Sequence, residues 1–150
     1  MENGDQTITD KSNRLVWTKN AKLTGRKTWQ KAKDYVESMN QRTVENFGYT
    51  DWRLPTIQEL YSLCMTDGST TGLDAILSGD KWAYCNGKSV NVASLLTGAG
   101  FTSVQSSYYW SSTSYAVNTS YAWVVYMLDG SVYALGKSSS YYVWPVRSGH

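Results

Sequence analysis

Side chains that perform covalent or acid–base chemistry are few in this 150-residue sequence, and they are not gathered for it. The single histidine, His150, is the last residue; the cysteines are Cys64 and Cys85; after residue 80 the only carboxylate is Asp129. A general acid or base must lie within hydrogen-bond reach of the proton it moves, and no internal histidine or carboxylate pair offers that. No enzyme activity is expected. The C-terminal third carries contact chemistry instead. From Phe101 to His150 the full charges are Asp129, Lys137 and Arg147, set among eight of the twelve tyrosines and twelve serines. Tyrosine and tryptophan supply rigid, amphipathic area at low entropic cost, and serine adapts its hydrogen bonds, as in an antibody combining surface. The composition predicts a binding module whose specificity lies near the C-terminus.

The remaining composition narrows the partners. Net charge is +2, so no strong field draws the chain to nucleic acid. Eight basic residues fall early (Lys11, Arg14, Lys19, Lys22, Arg26, Lys27, Lys31, Lys33), but Asp10, Asp34 and Glu37 interleave with them, the pattern of a solvated face. Two isolated cysteines do not make a structural zinc site. Asp129 alone cannot supply the carboxylates of a sugar-bridging calcium, which takes six to eight oxygens; that leaves open only a site of backbone and hydroxyl oxygens, and no metal-binding side chain or cofactor is expected. No apolar run is long enough to cross a membrane, and membrane insertion is not expected. The polar start MENGDQTITD does not read as a signal peptide. Cys64 and Cys85 either pair or stand as buried thiols; their spacing leaves both open.

These contact residues need a scaffold, and 150 residues with 41% hydrophobic content and seven tryptophans can build one domain over the whole chain, 1–150. Gln6–Thr9 and Arg14–Thr18 read as a strand pair joined by a turn over Asp10–Asn13. Trp29, Ala32, Val36 and Met39 recur at helical spacing, with Thr28 as N-cap. A second helix follows Pro55: Thr56 and Glu59 form a capping box, and Ile57, Leu60, Tyr61, Leu63 and Cys64 form its buried stripe. Residues 66–107 are glycine-rich loop, interrupted by short apolar pieces at Leu73–Leu77 and Val90–Ala93. The C-terminal part reads as a β-meander with strands at Tyr108–Ser112, Ala122–Leu128, Ser131–Gly136 and Tyr141–Arg147. The fold class is α+β: two helices, an antiparallel meander and long loops.

A two-residue turn at Asp129-Gly130 would pair Leu128 with Ser131, Met127 with Val132, Tyr126 with Tyr133, Val125 with Ala134 and Val124 with Leu135. One face then carries Trp123, Val125, Met127, Val132 and Ala134; the other carries Val124, Tyr126, Leu128, Ser131, Tyr133 and Leu135. Both faces are largely apolar. Either the hairpin is central and covered on both sides, or the second face is an exposed contact patch.

Several segments together resemble a known family. They are Gly25-Arg26-Lys27-Thr28-Trp29, Thr50-Asp51-Trp52-Arg53-Leu54-Pro55-Thr56 followed by Gln58-Glu59-Leu60, and Tyr109-Trp110-Ser111-Ser112-Thr113. Ala122-Trp123, Asp129-Gly130, Lys137-Ser138 and Tyr142-Val143-Trp144-Pro145-Val146-Arg147 continue the pattern. The chain resembles the lectin-like C-terminal domain of bacterial collagen-like adhesins, a C-type-lectin-fold family. Some members of that family are variable proteins of diversity-generating retroelements, in which adenine-containing codons near the 3′ end of the gene are rewritten. The resemblance implies a variable, ligand-binding region over about 109–147. Val124, Tyr126, Leu128, Asp129, Ser131, Tyr133, Ala134, Leu135 and Gly136 stand where asparagine is frequent in the family, and each type is reachable from an asparagine codon by changing adenines.

The expected site is therefore the second face of the hairpin, Val124, Tyr126, Leu128, Ser131, Tyr133 and Leu135, widened by Tyr115, Val117, Asn118 and Tyr121 and by Tyr142 and Trp144. Trp144 reads equally as buried anchor or contact residue. Arg53 and Trp52 read as braces for the second helix, Asn118-Thr119-Ser120 as a chance sequon, and Lys137 and Arg147 as backbone or rim contacts. The expected partner is a protein or glycan on a target surface, with the domain displayed on a virion or cell. The alternative is an undiversified adhesin domain that binds acidic polysaccharide through the N-terminal basic residues.

Overall fold

The computed structural model describes residues 3–65, 69–70, 72–78, 83–84 and 89–149. The N-terminal strand pair forms as expected: β1 (Thr7–Asp10) runs antiparallel to β2 (Leu15–Thr18), and Asp10 closes the turn by accepting from the Ser12 amide at 3.0 Å. Helix α1 (Trp29–Asn40) starts at Thr28, whose hydroxyl accepts from the Lys31 amide, and buries Ala32, Val36 and Met39. Helix α2 (Ile57–Ser62) carries the complete Thr56/Glu59 capping box.

The glycine-rich middle holds more regular structure than its composition suggests. Leu73–Ser78 is helix α3, Ala83–Tyr84 a short strand β3, and Val92–Gly98 helix α4, capped by Asn91. The apolar pieces recognised in the sequence supply buried Leu73 and Ile76 in α3 and Val92 and Ala93 in α4; Leu96, outside them, completes the buried face of α4. Single turns this short give little periodicity to read. Cys64 is disulfide-bonded; Cys85 lies outside the described residues.

The C-terminal strands are β4 (Tyr108–Ser114), β5 (Tyr121–Tyr126) and β6 (Ser131–Gly136), in a four-stranded antiparallel sheet of order β3-β6-β5-β4. The closing segment does not extend this meander. Tyr141 and Tyr142 make single bridges to Lys27 and Tyr109, and the last strand, β7 (Val146–Ser148), joins the other sheet, in the order β1-β2-β7. Strands from the two ends of the chain therefore pair, Trp17 opposite Val146.

The hairpin register also differs from the two-residue turn. Tyr126 pairs with Ser131, Val125 with Val132, Val124 with Tyr133 and Trp123 with Ala134, which leaves Met127–Gly130 as a four-residue connection. The backbone of that connection is claimed by other segments: the Val90 amide donates to the Asp129 carbonyl at 2.9 Å, the Ala93 amide to the Met127 carbonyl at 3.0 Å, and the Met127 amide to the Ser107 carbonyl at 2.9 Å. Gly130, at φ 80°, donates to the Tyr126 carbonyl and turns the chain back. A slip of two residues preserves the side-chain parity, so the division into faces stands.

Two cores lie on the two faces of this sheet. The first joins Trp123, Val125, Met127, Val132 and Tyr109 to α2, α3, α4, Trp17 and Trp144. The second joins Trp110, Ala122, Val124 and Val143 to α1, Trp52 and Leu54.

Candidate functional site

Parity places the even-numbered residues of β5 and the odd-numbered residues of β6 on the side that α1 covers. Cover is complete at the centre: Val124 is 0% exposed, and so is Trp110, which faces the same core from β4. Toward the β5–β6 turn the cover ends. There the rings of Tyr108 and Tyr126, opposite each other on β4 and β5, stack at 4.4 Å with an interplanar angle of 20°. Tyr133 and Tyr141 approach Tyr108 edge-on at 5.8 and 5.1 Å. Offset and edge-to-face arrangements of this kind hold aromatic rings in fixed poses. All four tyrosines are half-buried. Partial burial, together with the neighbouring phenols of Tyr133, Tyr126 and Tyr141, pushes the Tyr108 hydroxyl above its ordinary pKa, so at neutral pH it presents a hydroxyl and no charge. Leu128, 44% exposed, stands on the adjoining turn, and Leu135 is half-buried farther along β6.

Of the expected site residues, the structure brings Tyr126 and Tyr133 together around Tyr108, with Leu128 on the adjoining turn; Leu135 pairs with Ala122, toward the other end of the sheet. It removes three. Val124 is packed under α1; Ser131 is fully buried, with its hydroxyl and amide both turned to Asp129; Trp144 is fully buried in the first core, its indole N–H donating to the Thr18 carbonyl at 3.0 Å. These are corrections to the exposed-face reading. Val124 is covered because a helix needs a strand face to pack on, and Trp144 because the last segment runs between the sheets instead of along the meander.

The remaining residues sit elsewhere. Tyr115, Val117 and Asn118 belong to the β4–β5 loop at the opposite end of the sheet, and Tyr121 is the first residue of β5 beside it. Val117 is 76% and Tyr121 40% exposed there, while the Tyr115 ring packs edge-on against Trp123 at 5.3 Å. Tyr142 leans on the first core, with its ring 5.6 Å from Tyr109. The expected patch is thus two surfaces, a tyrosine floor near the β5–β6 turn and a loop tip at the other end. Sequence reasoning missed Tyr108 and Tyr141. The available signal for Tyr108 was its parity with Trp110, which places both on one face of β4.

Of the two residues read as braces for the second helix, Arg53 braces α2, whereas Trp52 packs in the second core with α1. Arg53 makes two hydrogen bonds to Glu59, at 2.6 and 2.7 Å, and pairs through its backbone with Val146. The Trp52 indole N–H donates to the Asn46 carbonyl at 2.9 Å. Arg147 pairs with Asp51 at 2.6 Å and lies 3.9 Å from the centre of the Tyr49 ring. In the Tyr109–Thr113 segment, the Tyr109 hydroxyl donates to the Ala21 carbonyl, the Ser111 hydroxyl to the Trp123 carbonyl, and Thr113 accepts from the Ile57 amide at the start of α2. The most distinctive motifs therefore build the frame, not the surface.

Of the early basic residues, Lys33 covers the Trp29 ring at 4.2 Å, and Lys11 and Arg14 border a groove of about 770 Å³ with Tyr49 and Arg147. Among the described residues, no cluster of three or more histidine, cysteine or acidic side chains could hold a metal ion, and no helix is long and apolar enough to cross a membrane. No curated protein matches the chain. A family model described as the Lcl C-terminal domain matches residues 6–147, from the start of the first strand pair to the last strand. The chain belongs to the Lcl C-terminal domain family.

Proposed function

We propose that the domain is a non-catalytic receptor or adhesion module of C-type-lectin type, which binds a protein or glycan on a target surface through the tyrosine floor. One observation carries the reading: the half-buried rings of Tyr126, Tyr133 and Tyr141 all pack on that of Tyr108, beside a strand face whose own side chains carry no charge. Rigid aromatic area of this kind loses little entropy on binding and supplies the anchors around which interfaces are built. Family membership supports a ligand-binding role, and the bracing of the frame by the family-like motifs supports a division between constant underside and variable surface.

We further propose that a retroelement diversifies this surface, at a narrower set of positions than parity alone suggests: Tyr126, Leu128 and Tyr133 at the floor, Leu135 farther along β6, and Val117, Asn118 and Tyr121 at the β4–β5 end. The turn supports this. Its backbone is held by the amides of Val90 and Ala93, so the side chain at 128 has no structural duty. Sequencing codons 109–147 through a population tests it. Substitutions should concentrate at the first two bases of those seven codons, the positions that are adenine in an asparagine codon, and spare 124, 131 and 144. Substitutions scattered evenly over the interval would refute diversification. For binding, arrays of glycans and of surface proteins should show ligands lost in a Tyr126→Ala/Tyr133→Ala double variant. Ligands that survive this change but vanish at 0.5 M salt would instead place binding on the basic N-terminal face.

A further inference from the structure

We infer that Lys137 is a positioning residue that sets the pose of the β4–β5 loop. It directly follows β6 and is bound to three other parts of the chain. Its amide donates to the Ser120 carbonyl at 2.9 Å, and its carbonyl accepts from the Trp29 amide at 3.2 Å. Its side chain folds back, with Nζ donating to the Ser114 hydroxyl at 2.8 Å and lying 3.8 Å from the centre of the Trp29 ring. Ser114 and Ser120 are the two stems of the loop, so one residue clasps both. Trp29 is the fixed post of this clasp, since its indole N–H donates to the Ser111 carbonyl at 2.9 Å and Lys33 covers the ring as well. A charge held partly away from water beside a second lysine is not where a free side chain would settle; desolvation and the Lys33 charge both lower the Lys137 pKa.

The loop has few other anchors. Its backbone bonds are local, Asn118 to Tyr115, Tyr121 to Asn118 and Tyr115 to Tyr121, and the one partly buried ring is that of Tyr115. A short turn with exposed side chains opens easily when its base is loosened. The clasp at Lys137 therefore decides how Val117, Asn118 and Tyr121 are presented. Their value in recognition rests on the proposed contact role of this loop, whereas the clasp itself does not.

Amide hydrogen exchange tests the inference without any ligand. In Lys137→Met, which keeps the stem but not the charge or the donor, the amides of Tyr115, Asn118 and Tyr121 should exchange about tenfold faster, while those of Val124 and Val125 keep their protection. Lys137→Arg should restore the slow rates, since a guanidinium can also donate to Ser114 and stack on Trp29. Ser114→Ala, which removes only the hydroxyl partner, should give a smaller acceleration at the same amides and covers the case in which Lys137→Met does not fold. Unchanged loop exchange in the variants, equal acceleration in the strand centre, or no restoration by arginine would each overturn the inference. A loop that loosens as expected in a protein whose ligands ignore it would leave the clasp standing and remove the loop from the proposed binding surface.

Discussion

Converting single hairpin positions to asparagine, the residue frequent there in the resembled family, separates scaffold from surface. At position 124 the change removes a valine that is fully enclosed under α1. Burial of a valine side chain is worth about 1.5–3 kcal/mol, and an amide placed there without a partner costs about 1–3 kcal/mol more. Val124→Asn should thus destabilise by roughly 3–5 kcal/mol, which for a domain of this size lowers the melting temperature by about 10 °C or more. At position 128 the side chain is 44% exposed and the turn is held by main-chain bonds. Leu128→Asn should cost no more than about 0.5 kcal/mol, a shift of about 2 °C or less. Calorimetry on the two variants decides. A Val124→Asn protein that melts within about 3 °C of the parent, or a Leu128→Asn protein that falls as far as Val124→Asn, would refute this division of the hairpin.

Three further outcomes follow from the contacts. Trp144→Ala should cost about 3–5 kcal/mol in urea unfolding, because it empties a buried site that also holds a hydrogen bond; a loss below about 1 kcal/mol would restore Trp144 to the surface. Tyr126→Ala removes one half of the stacked pair and should lower stability by about 1 kcal/mol, more than an isolated exposed tyrosine would. Burial alone would raise the Glu59 carboxyl, but hydrogen bonds from Arg53 and from the Thr56 amide hold it below its ordinary value of 4.5. A depressed folded pKa gives stability that is present above the unfolded value and lost as pH falls through the folded one, so wild type should lose stability relative to Glu59→Gln below about pH 4.5; parallel pH curves for the two proteins would contradict this.

Much of the frame was legible because it rests on local rules. Thr56 and Glu59 announce a helix start by their spacing, and Trp29, Ala32, Val36 and Met39 announce a buried face by theirs. The faces of the hairpin were legible for a subtler reason: parity survives any even slip in register, so a turn misread by two residues still sorted Val125 from Tyr126. What could not be read depends on remote partners. The four-residue turn exists because Val90, Ala93 and Ser107 bond its backbone, and no pattern near Asp129-Gly130 reports them. Trp144 is buried because the last segment crosses to pair β7 with β2. The cover over Val124 comes from a helix ninety residues earlier, and periodicity shows that a helix has an apolar face without showing what it packs on.

The tryptophans show how so irregular a chain can hold a surface still. Indole N–H groups of Trp29, Trp52, Trp110 and Trp144 each donate to a main-chain carbonyl, on Ser111, Asn46, Lys27 and Thr18 respectively. Three of these ties span more than eighty residues of sequence. Two of the acceptors, Asn46 and Lys27, lie in loops, and two, Ser111 and Thr18, lie on β4 and β2; the buried Trp17 indole, by contrast, has no hydrogen-bond partner among the described residues. Each tie uses a main-chain carbonyl, two on loops and two on strands, and so fixes its segment without engaging that segment's side chains. Rigidity obtained in this way does not depend on which residues occupy Leu128, Tyr133 or Val117. A frame tied through its main chain can thus tolerate change on the outside, and that physical condition has to hold before any process could vary the surface without unfolding the domain.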